Sequence, residues 1–384
     1  MIRALYLHIP FCERKCAYCD FTSVGGVRGQ REYAAALQAE LRDIAARLDP
    51  QTVRLDTVFV GGGTPSLLDT ALLGGILDEV RHCFAVSPGA EITMEANPSS
   101  TTPGKAEAWL GAGVNRISLG VQSLHADILD FLDRVHDGDR AVQAVRDVKA
   151  AGFVRVNTDL IYAVPGLDDA RWQDTLQRVL ALDCDHLSCY ELTVEEGTPL
   201  ASAVAAGVVP TCDPETALRH HWLAVDAARR HGLEQYEISN FATPGSECRH
   251  NLAYWHNDFY LAAGVGAHGH LPPDTAAALG MHAASEQTVA VRYWHNDSIP
   301  DYVAGAPPHI EEVTAEERDS ESILVGLRLT AEGIHLHDAH ARREAAALRD
   351  AGLLDWDGRI ARVTARGQEL LDAVALRLCD TRAA

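Results

Sequence analysis

Short apolar runs alternate with amphipathic stretches through about the first 230 residues of the chain. The runs are bounded by Gly, Pro or polar residues and predict strands at 4–10, 57–63, 91–98, 116–123, 155–165 and 186–193. The stretches between and after them predict helices at 31–48, 67–84, 103–112, 125–151, 169–182 and 214–231. Strands that alternate with helices form a parallel sheet with the helices packed outside it. We therefore expect an α/β fold in which residues 1–233 form a partial (βα)6 barrel.

The rest of the chain has a different pattern. Residues 234–310 are rich in His and aromatic residues, contain the sequences HNLAYW and GVGAHGH, and are expected to form an irregular segment. Residues 311–384 predict helices at 315–328, 339–351 and 365–378 around a hairpin with an Asp-Gly turn. This order favours a small winged-helix-like domain, a fold that often binds DNA. The segment has 15 acidic and 10 basic residues, however, so we expect no nucleic-acid binding.

Each predicted strand ends in Gly, Pro or polar residues. The endings are HIPFC, GGGTP, EANP, VQS, TDLIYAVPG and YELT. The carboxyl ends of parallel barrel strands meet at one edge, and the active sites of barrels form there. Any one of these endings is explained by an ordinary turn. All six together, one of them with a group of cysteines, indicate a shared functional site at this edge.

The composition narrows the class of protein. The formal net charge is −21, which disfavours a partner whose phosphates must be neutralised by Lys and Arg. No run of 18 apolar residues is present, so no membrane span is expected. The opening MIRALYLHIPFC leads into a cysteine motif rather than a cleavage site, so we interpret it as a strand and expect a cytoplasmic protein. The nine cysteines are mostly scattered, which favours reduced thiols over disulfides.

Three of the cysteines, Cys12, Cys16 and Cys19, have the spacing C-x3-C-x2-C. A structural zinc site usually takes its four ligands from two C-x2-C-like halves, and this sequence has no second half. His8 or Asp20 could complete a zinc site, but neither has a recognised spacing. A [4Fe-4S] cluster bound by three cysteines has one iron open to a small molecule. The spacing is therefore compatible with either centre and favours the cluster.

The sequence around these cysteines, CERKCAYC, resembles the signature of the radical S-adenosylmethionine (SAM) superfamily. Tyr18 matches the aromatic residue that commonly precedes the third cysteine. In that family the amine and carboxylate of SAM chelate the fourth iron, and reduction of the cluster cleaves SAM to a radical. The sequence FVGGGTP at 59–65 resembles the stretch that accepts the SAM amino group, although a tight turn capped by Thr64 would explain it equally well. The resemblance implies a [4Fe-4S] cluster and SAM as cofactors.

Further stretches resemble the coproporphyrinogen-oxidase-like group of this superfamily. They occur in the same order over about 250 residues and include EANP, RISLGVQS, NTDLIYAVPG and CYELT. One branch of the group is oxygen-independent coproporphyrinogen III oxidase, and the other is the HemW-type heme chaperones. The oxidase has a fourth cysteine where this sequence has Phe21, and it has an N-terminal arm that we do not expect here. HNLAYW resembles the H-N-x-x-Y-W motif associated with heme binding in the chaperones.

The resemblance thus favours a heme chaperone that binds heme and delivers it to an acceptor protein not identified by the sequence. A radical SAM enzyme acting on a tetrapyrrole is the alternative, although coproporphyrinogen oxidase activity is not expected. No catalytic residue is assigned.

Position matching implies a role for each site residue of the resemblance. Cluster ligands are Cys12, Cys16 and Cys19, and SAM contacts are Tyr6, Tyr18, Gly62, Gly63, Thr64 and Glu95. Gln122, Arg134 and Asp159 match contacts to a second SAM, and His250, Asn251, Tyr254 and Trp255 are heme candidates. Ordinary packing under a loop would also explain HNLAYW, and a surface salt bridge would also explain Arg134.

Overall fold

The computed structural model describes residues 1–379, and its first half alternates strands with helices. The strands are β1 (Ile2–Ile9), β2 (Phe11–Cys12), β3 (Val24–Gly25), β4 (Val53–Gly62), β5 (Ala85–Ala96), β6 (Arg116–Gln122), β7 (Arg155–Tyr162) and β8 (His186–Glu191). The helices are α1 (Gln30–Arg47), α2 (Thr70–Cys83), α3 (Pro103–Gly111), α4 (Ala126–Phe131), α5 (Gly138–Ala150), α6 (Asp169–Leu180), α7 (Pro199–Ala205) and α8 (Pro214–Arg230).

Six of these strands pair in parallel in the order β1-β4-β5-β6-β7-β8, which confirms the predicted strand–helix units. The helix expected at 125–151 is two helices, α4 and α5. The chain turns between them at Asp133, which has a left-handed φ of 53°, and Asp137 then caps α5 by accepting from the Arg140 amide. Helix α7 was not predicted from the sequence.

The segment 234–310 is not irregular, contrary to the expectation from its sequence. It contains β9 (Glu234–Glu237), β10 (Asn240–Ala242), α9 (Arg249–Trp255), β11 (Tyr260–Ala263), β12 (His268–Leu271), α10 (Pro273–Ala278), β13 (Thr288–Trp294), α11 (Ile299–Val303) and the start of β14 (His309–Thr314). Strand β11 pairs in parallel with β1, β12 to β14 follow it in antiparallel order, and β10 and β9 extend the other edge to make twelve strands. These strands are short, so their period-two alternation is weak in the sequence.

The C-terminal part builds a second apolar cluster of its own, formed by residues such as Leu336, Leu348 and Val374. Its elements are α12 (Ala315–Gly326), β15 (Ile334–His335), α13 (Ala339–Asp350), β16 (Leu354–Trp356), β17 (Ile360–Val363), α14 (Ala365–Gln368) and α15 (Leu371–Leu378). The hairpin is present as predicted, and the helix expected at 365–378 is split in two. The winged-helix-like description stays a prediction, and its last five residues lie outside the described chain. Across residues 1–379, no helix is both long and apolar enough to cross a membrane.

A buried carboxylate anchors helix α9, which carries the sequence HNLAYW. Glu91 in β5 is only 4% exposed and accepts hydrogen bonds from the backbone amides of Arg249 at 3.2 Å and His250 at 3.1 Å. Arg155 Nη1 lies 3.8 Å from the same carboxylate. A negative charge at a helix N-terminus is stabilised by the unpaired amides there. Glu91 therefore fixes where α9 meets the sheet.

We predict that Glu91→Ala lowers the free energy of unfolding by about 1–3 kcal/mol, because it leaves the backbone amides of Arg249 and His250 without their acceptor. Urea unfolding of the apoprotein under reducing conditions measures this change. The matched control is Asp43→Ala, which breaks an exposed pair with Arg47 and should cost less than about 1 kcal/mol. Equal losses in the two variants would contradict the anchoring role.

A candidate cluster and cofactor site at the sheet edge

A cavity of about 420 Å³ opens at the carboxyl ends of the parallel strands. All six predicted strand endings supply part of its wall, either from the strand or from the loop that follows it. Examples are Cys12, Gly63, Glu95, Gln122, Ile161 and Tyr190. The shared site expected from the sequence pattern is therefore present as a single cavity.

The three predicted cluster cysteines lie together on one wall of this cavity. Their loop leaves the sheet after β1 and is closed by the short parallel pair β2 and β3. Backbone bonds secure the closure, with the Gly26 amide 2.7 Å from the Cys12 carbonyl and the Val24 amide 2.8 Å from the Pro10 carbonyl. Burial raises the pKa of the Cys19 thiol. The thiols thus sit on a loop whose ends are held by backbone hydrogen bonds.

Asp133, in the turn between α4 and α5, holds the cysteine loop in position. Its carboxylate accepts from the Ala17 amide at 3.1 Å and pairs with Arg14 at 3.0 Å. Its carbonyl oxygen lies 3.8 Å from the Cys16 thiol. Sequence reasoning did not identify Asp133, because neither its contacts nor its left-handed backbone can be recognised in the sequence FLDRVHD.

Two glycines of GGGTP are required because neighbouring atoms leave no room for a Cβ. Gly62 has a φ of 112°, and a Cβ there would lie 2.5 Å from the His8 ring. A Cβ on Gly63 would lie 2.8 Å from the Pro10 carbonyl carbon. Thr64 Oγ1 donates to Cys12 Sγ at 3.5 Å. This turn therefore packs directly against the start of the cysteine loop, and both Gly62 and Gly63 line the cavity.

Two half-buried carboxyl groups face the cavity. Glu95 accepts from the Gly62 amide at 3.0 Å, and burial together with the nearby Asp159 raises its pKa to about 8. Asp159 accepts from Ser118 at 2.8 Å and from Asn157 at 2.7 Å, yet burial still raises its pKa. An enclosed site of this kind disfavours two uncompensated negative charges. It would favour a cationic ligand.

Arg134 points into the cavity rather than forming a surface salt bridge. Its Nη2 donates to Asn97 Oδ1 at 2.5 Å and to the Gly120 carbonyl at 3.1 Å, and Nη1 lies 3.9 Å from Cys16 Sγ. Its Nε and the Oε1 of Gln122 are buried without a hydrogen-bond partner among the described residues. Buried polar atoms are normally paired. These two open atoms suit a polar ligand in the cavity.

The donor set fits an iron–sulfur cluster better than a single zinc ion. Within residues 1–379, no three His, Cys, Asp or Glu side chains are close enough to share one metal ion. A [4Fe-4S] cluster spreads its cysteine ligands over separate irons, so it does not need them to converge on one point. Cys12, Cys16 and Cys19 are all unpaired thiols that line the cavity. They would hold such a cluster at the cavity wall.

Tyr6 and His250, which were predicted as a SAM contact and a heme ligand, do not line the cavity. Tyr6 is not in the cavity wall; its hydroxyl lies 3.1 Å from His8 Nδ1 and its ring stacks on Phe59. His250 is fully buried, with Nδ1 2.9 Å from Thr57 Oγ1 and Nε2 2.9 Å from the Tyr254 hydroxyl. Burial lowers the pKa of His250 to about 3, so the ring is neutral.

The rest of HNLAYW is divided between the cavity and the interior. Asn251 is the residue of the motif that faces the cavity. Tyr254 packs edge-on against Tyr260, and the Trp255 ring lies under the Arg328 guanidinium, 4.6 Å from ring centre to carbon. The motif is therefore a partly buried helix whose histidine has both nitrogens engaged.

The chain is similar to proteins of known family over nearly its whole length. The sequence profile of the radical SAM superfamily matches residues 6–179. Heme chaperone HemW of Mycobacterium tuberculosis is 40% identical over 97% of this chain and 94% of its own. Heme chaperone HemW of Escherichia coli is 37% identical over 69% of this chain and 69% of its own. Radical S-adenosyl methionine domain-containing protein 1, mitochondrial, of Bos taurus is 33% identical over 98% of this chain and 87% of its own.

The fold agrees with a solved structure. Coproporphyrinogen III oxidase (HemN) of Escherichia coli, described as a radical SAM enzyme, matches with a TM-score of 0.78 over 98% of this chain and 90% of its own. Its sequence identity of 19% makes this a statement about fold alone. The family is decided by the 40% identity over 97% of the chain. The chain belongs to the HemW family of the radical SAM superfamily.

Proposed function

We propose that this protein is a heme chaperone: it binds heme, carries a [4Fe-4S] cluster with exchangeable SAM, and passes heme to an acceptor protein. The observation that carries the proposal is the similarity to heme chaperone HemW of Mycobacterium tuberculosis along 97% of the chain. The cavity supports it, because every predicted cluster ligand and all but one of the SAM positions lie in its wall. We propose the cytoplasm as its compartment.

Different residues of the cavity would hold the cluster and SAM. Cys12, Cys16 and Cys19 would bind three irons of the cluster, and the reduced cluster would supply one electron to SAM held at the fourth iron. The glycine turn at 62–64 lets a ligand reach the backbone, and Tyr18 adds an aromatic wall beside the cysteines.

The charged residues of the cavity orient the polar groups of SAM. Glu95 is placed to accept from the methionyl amine. Arg134 offers a forked donor to a carboxylate, with Gln122 and Asp159 beside it. These roles are proposals that binding measurements on single variants can separate. Tyr6 does not line the cavity, so it would affect the site only through its contact with His8.

The heme role of HNLAYW also remains a proposal. Asn251 faces the cavity, which supports a contact from there to a bound tetrapyrrole. His250 can ligate iron only if Tyr254 or Thr57 gives up its hydrogen bond. Tyr254 and Trp255 would then contact heme only after the helix α9 region opens.

The experiment that tests the function is anaerobic reconstitution with iron and sulfide, followed by two assays of the same preparation. Titration with hemin should give a saturable Soret band at about one heme per chain, as expected for a single binding site. Incubation with SAM, dithionite and coproporphyrinogen III should give no decarboxylated product. Product formation without saturable heme binding would contradict this proposal and support the alternative function, a radical SAM enzyme acting on a tetrapyrrole.

We predict that Cys16→Ala abolishes the four-iron cluster, because two cysteines cannot hold three irons. The measurement is the absorption near 400 nm and the iron and sulfide content after reconstitution, by comparison with the unmodified protein. Cys212→Ala is the matched control, since Cys212 is a partly exposed thiol far from the cluster loop in the sequence, and it should keep the cluster. A full cluster in Cys16→Ala would overturn the ligand assignment.

We predict that SAM binds more tightly as the pH rises from about 7 to about 9. Because the pKa of Glu95 is about 8, its carboxyl is mostly protonated at the lower pH and ionised at the higher one, where it attracts the SAM cation. The gain should be several-fold and at most about tenfold. Equilibrium dialysis with the reconstituted protein measures it. Glu95→Gln should remove the pH dependence, and an unchanged dependence in that variant would exclude Glu95 as its source.

A further inference from the structure

Three aromatic side chains form a stacked ladder across the last three strands of the large sheet. His268 in β12, Trp294 in β13 and His309 in β14 stand opposite one another in the strand register. The His268 and Trp294 rings stack at 5.3 Å and 10°, and the Trp294 and His309 rings at 5.6 Å and 25°. Both histidines are exposed and the indole is half-buried between them. We call this group the His–Trp–His ladder.

The ladder lies beside the cysteine loop. Gly266, two residues before His268, is so close to Thr22 that a Cβ on Gly266 would lie 2.3 Å from Thr22 Oγ1. The same hydroxyl donates to Asp297, three residues after Trp294. Thr22 itself is the third residue after Cys19. The ladder therefore stands at the edge of the sheet where the cluster is expected, on the side of β1 that faces away from β4.

The nitrogen atoms of the two ladder histidines are not engaged. Neither imidazole makes a side-chain hydrogen bond or ion pair to another described residue. The buried histidines differ, since His250 uses both nitrogens and His186 bonds to Asn157 and Tyr236. A histidine with an open ring nitrogen is the proximal ligand of heme iron in globins and peroxidases.

We propose that the His–Trp–His ladder is the heme-docking face of this protein and that His268 is the axial ligand to the iron. The inference rests on the proposed heme-binding function and names the surface that carries it. Trp294 and His309 are contact residues that support the porphyrin beside the ligand.

The geometry of the ladder matches the shape of an iron porphyrin. An imidazole that ligates heme iron stands with its ring plane upright on the porphyrin. Because the rings are nearly parallel and His268 and Trp294 are 5.3 Å apart, a porphyrin seated on the edge of His268 also covers the edge of Trp294, and His309, one stacking step further, meets only the substituents at its rim. Edge-to-face contacts between aromatic rings are favourable. One flat ligand can thus contact all three rings at once.

Apolar side chains are available for the porphyrin rim. Phe21, Val24 and Val27 follow the third cysteine and are 58%, 40% and 55% exposed. On the ladder strand itself, Arg292 is paired with Glu311 at 3.3 Å and with Glu321, so it is not open to a propionate. The docked heme would therefore present its propionates to water. An exposed position of this kind suits a ligand that must be passed on to another protein.

The test is a hemin titration of the full-length protein and of His268→Ala, monitored by the Soret band and by the spin state of the ferric iron. We expect His268→Ala to weaken heme binding by at least about tenfold, a loss seen even for outer partners of a metal. It should also remove the imidazole-ligated signature, and added imidazole should restore that signature. Trp294→Ala and His309→Ala should weaken affinity while the ligand signature stays.

Two further variants separate this inference from its alternatives. His256→Ala is the control, because His256 is an exposed histidine paired with Glu332 at 2.8 Å, and it should leave heme binding unchanged. If His250→Ala loses the ligand signature while His268→Ala keeps it, the ligand lies in HNLAYW and the inference is wrong. If His309→Ala alone loses it, the assignment of His268 is wrong. If the unmodified protein binds no heme saturably, the proposed function itself fails.

Discussion

The position of β1 in the sheet determines where each functional part of this protein lies. It pairs in parallel with β4 on one side and with β11 on the other, and its carboxyl end leads directly into the cysteine loop. The cavity lies on the β4 side and the His–Trp–His ladder on the β11 side. A slip of one residue in this pairing would turn the inner face of the strand outwards. The register that sets Tyr6 beside Phe59 and Ala262 therefore sets the distance between the cluster loop and both candidate ligand sites.

Several polar side chains lie inside the barrel, and hydrogen bonds pair them with one another. Asn157 donates to Ser118, Asp159 and Ser188, and His186 bridges Asn157 and Tyr236. Buried polar groups are costly unless they are paired, so such a network holds each member in one orientation. Ser118, Asn157 and Asp159 line the same cavity as Gln122 and Arg134, which each retain an atom without a partner among the described residues. Most polar groups of the wall are therefore paired within the protein, and these two atoms are available to a ligand.

The histidine of HNLAYW and the two ladder histidines differ in burial and in hydrogen bonding, and their sequence context does not reveal this difference. HNLAYW has the more conspicuous motif, but its histidine is buried and serves the packing of α9 against β4. The ladder histidines lie in GVGAHGH and at the start of β14, and their rings are exposed and stacked on an indole. A histidine with both nitrogens hydrogen-bonded stabilises structure, whereas metal ligation requires at least one open nitrogen. This difference is the reason that we propose the ladder as the heme-docking face, while the heme role of HNLAYW stays a prediction.

The sequence alone predicted the alternating strands and helices, and it predicted that the strand endings and Cys12, Cys16 and Cys19 meet at one edge of the sheet, where the structure places them in one cavity. It could do so because apolar periodicity and cysteine spacing are local properties of the chain. The comparisons confirm the family and the α/β class that the motifs implied. The roles of Asp133, Glu91 and the ladder could not be predicted in this way. Each depends on side chains brought together from distant parts of the chain, such as His268 and His309, and only the pairing of short strands in the folded sheet decides which of them meet.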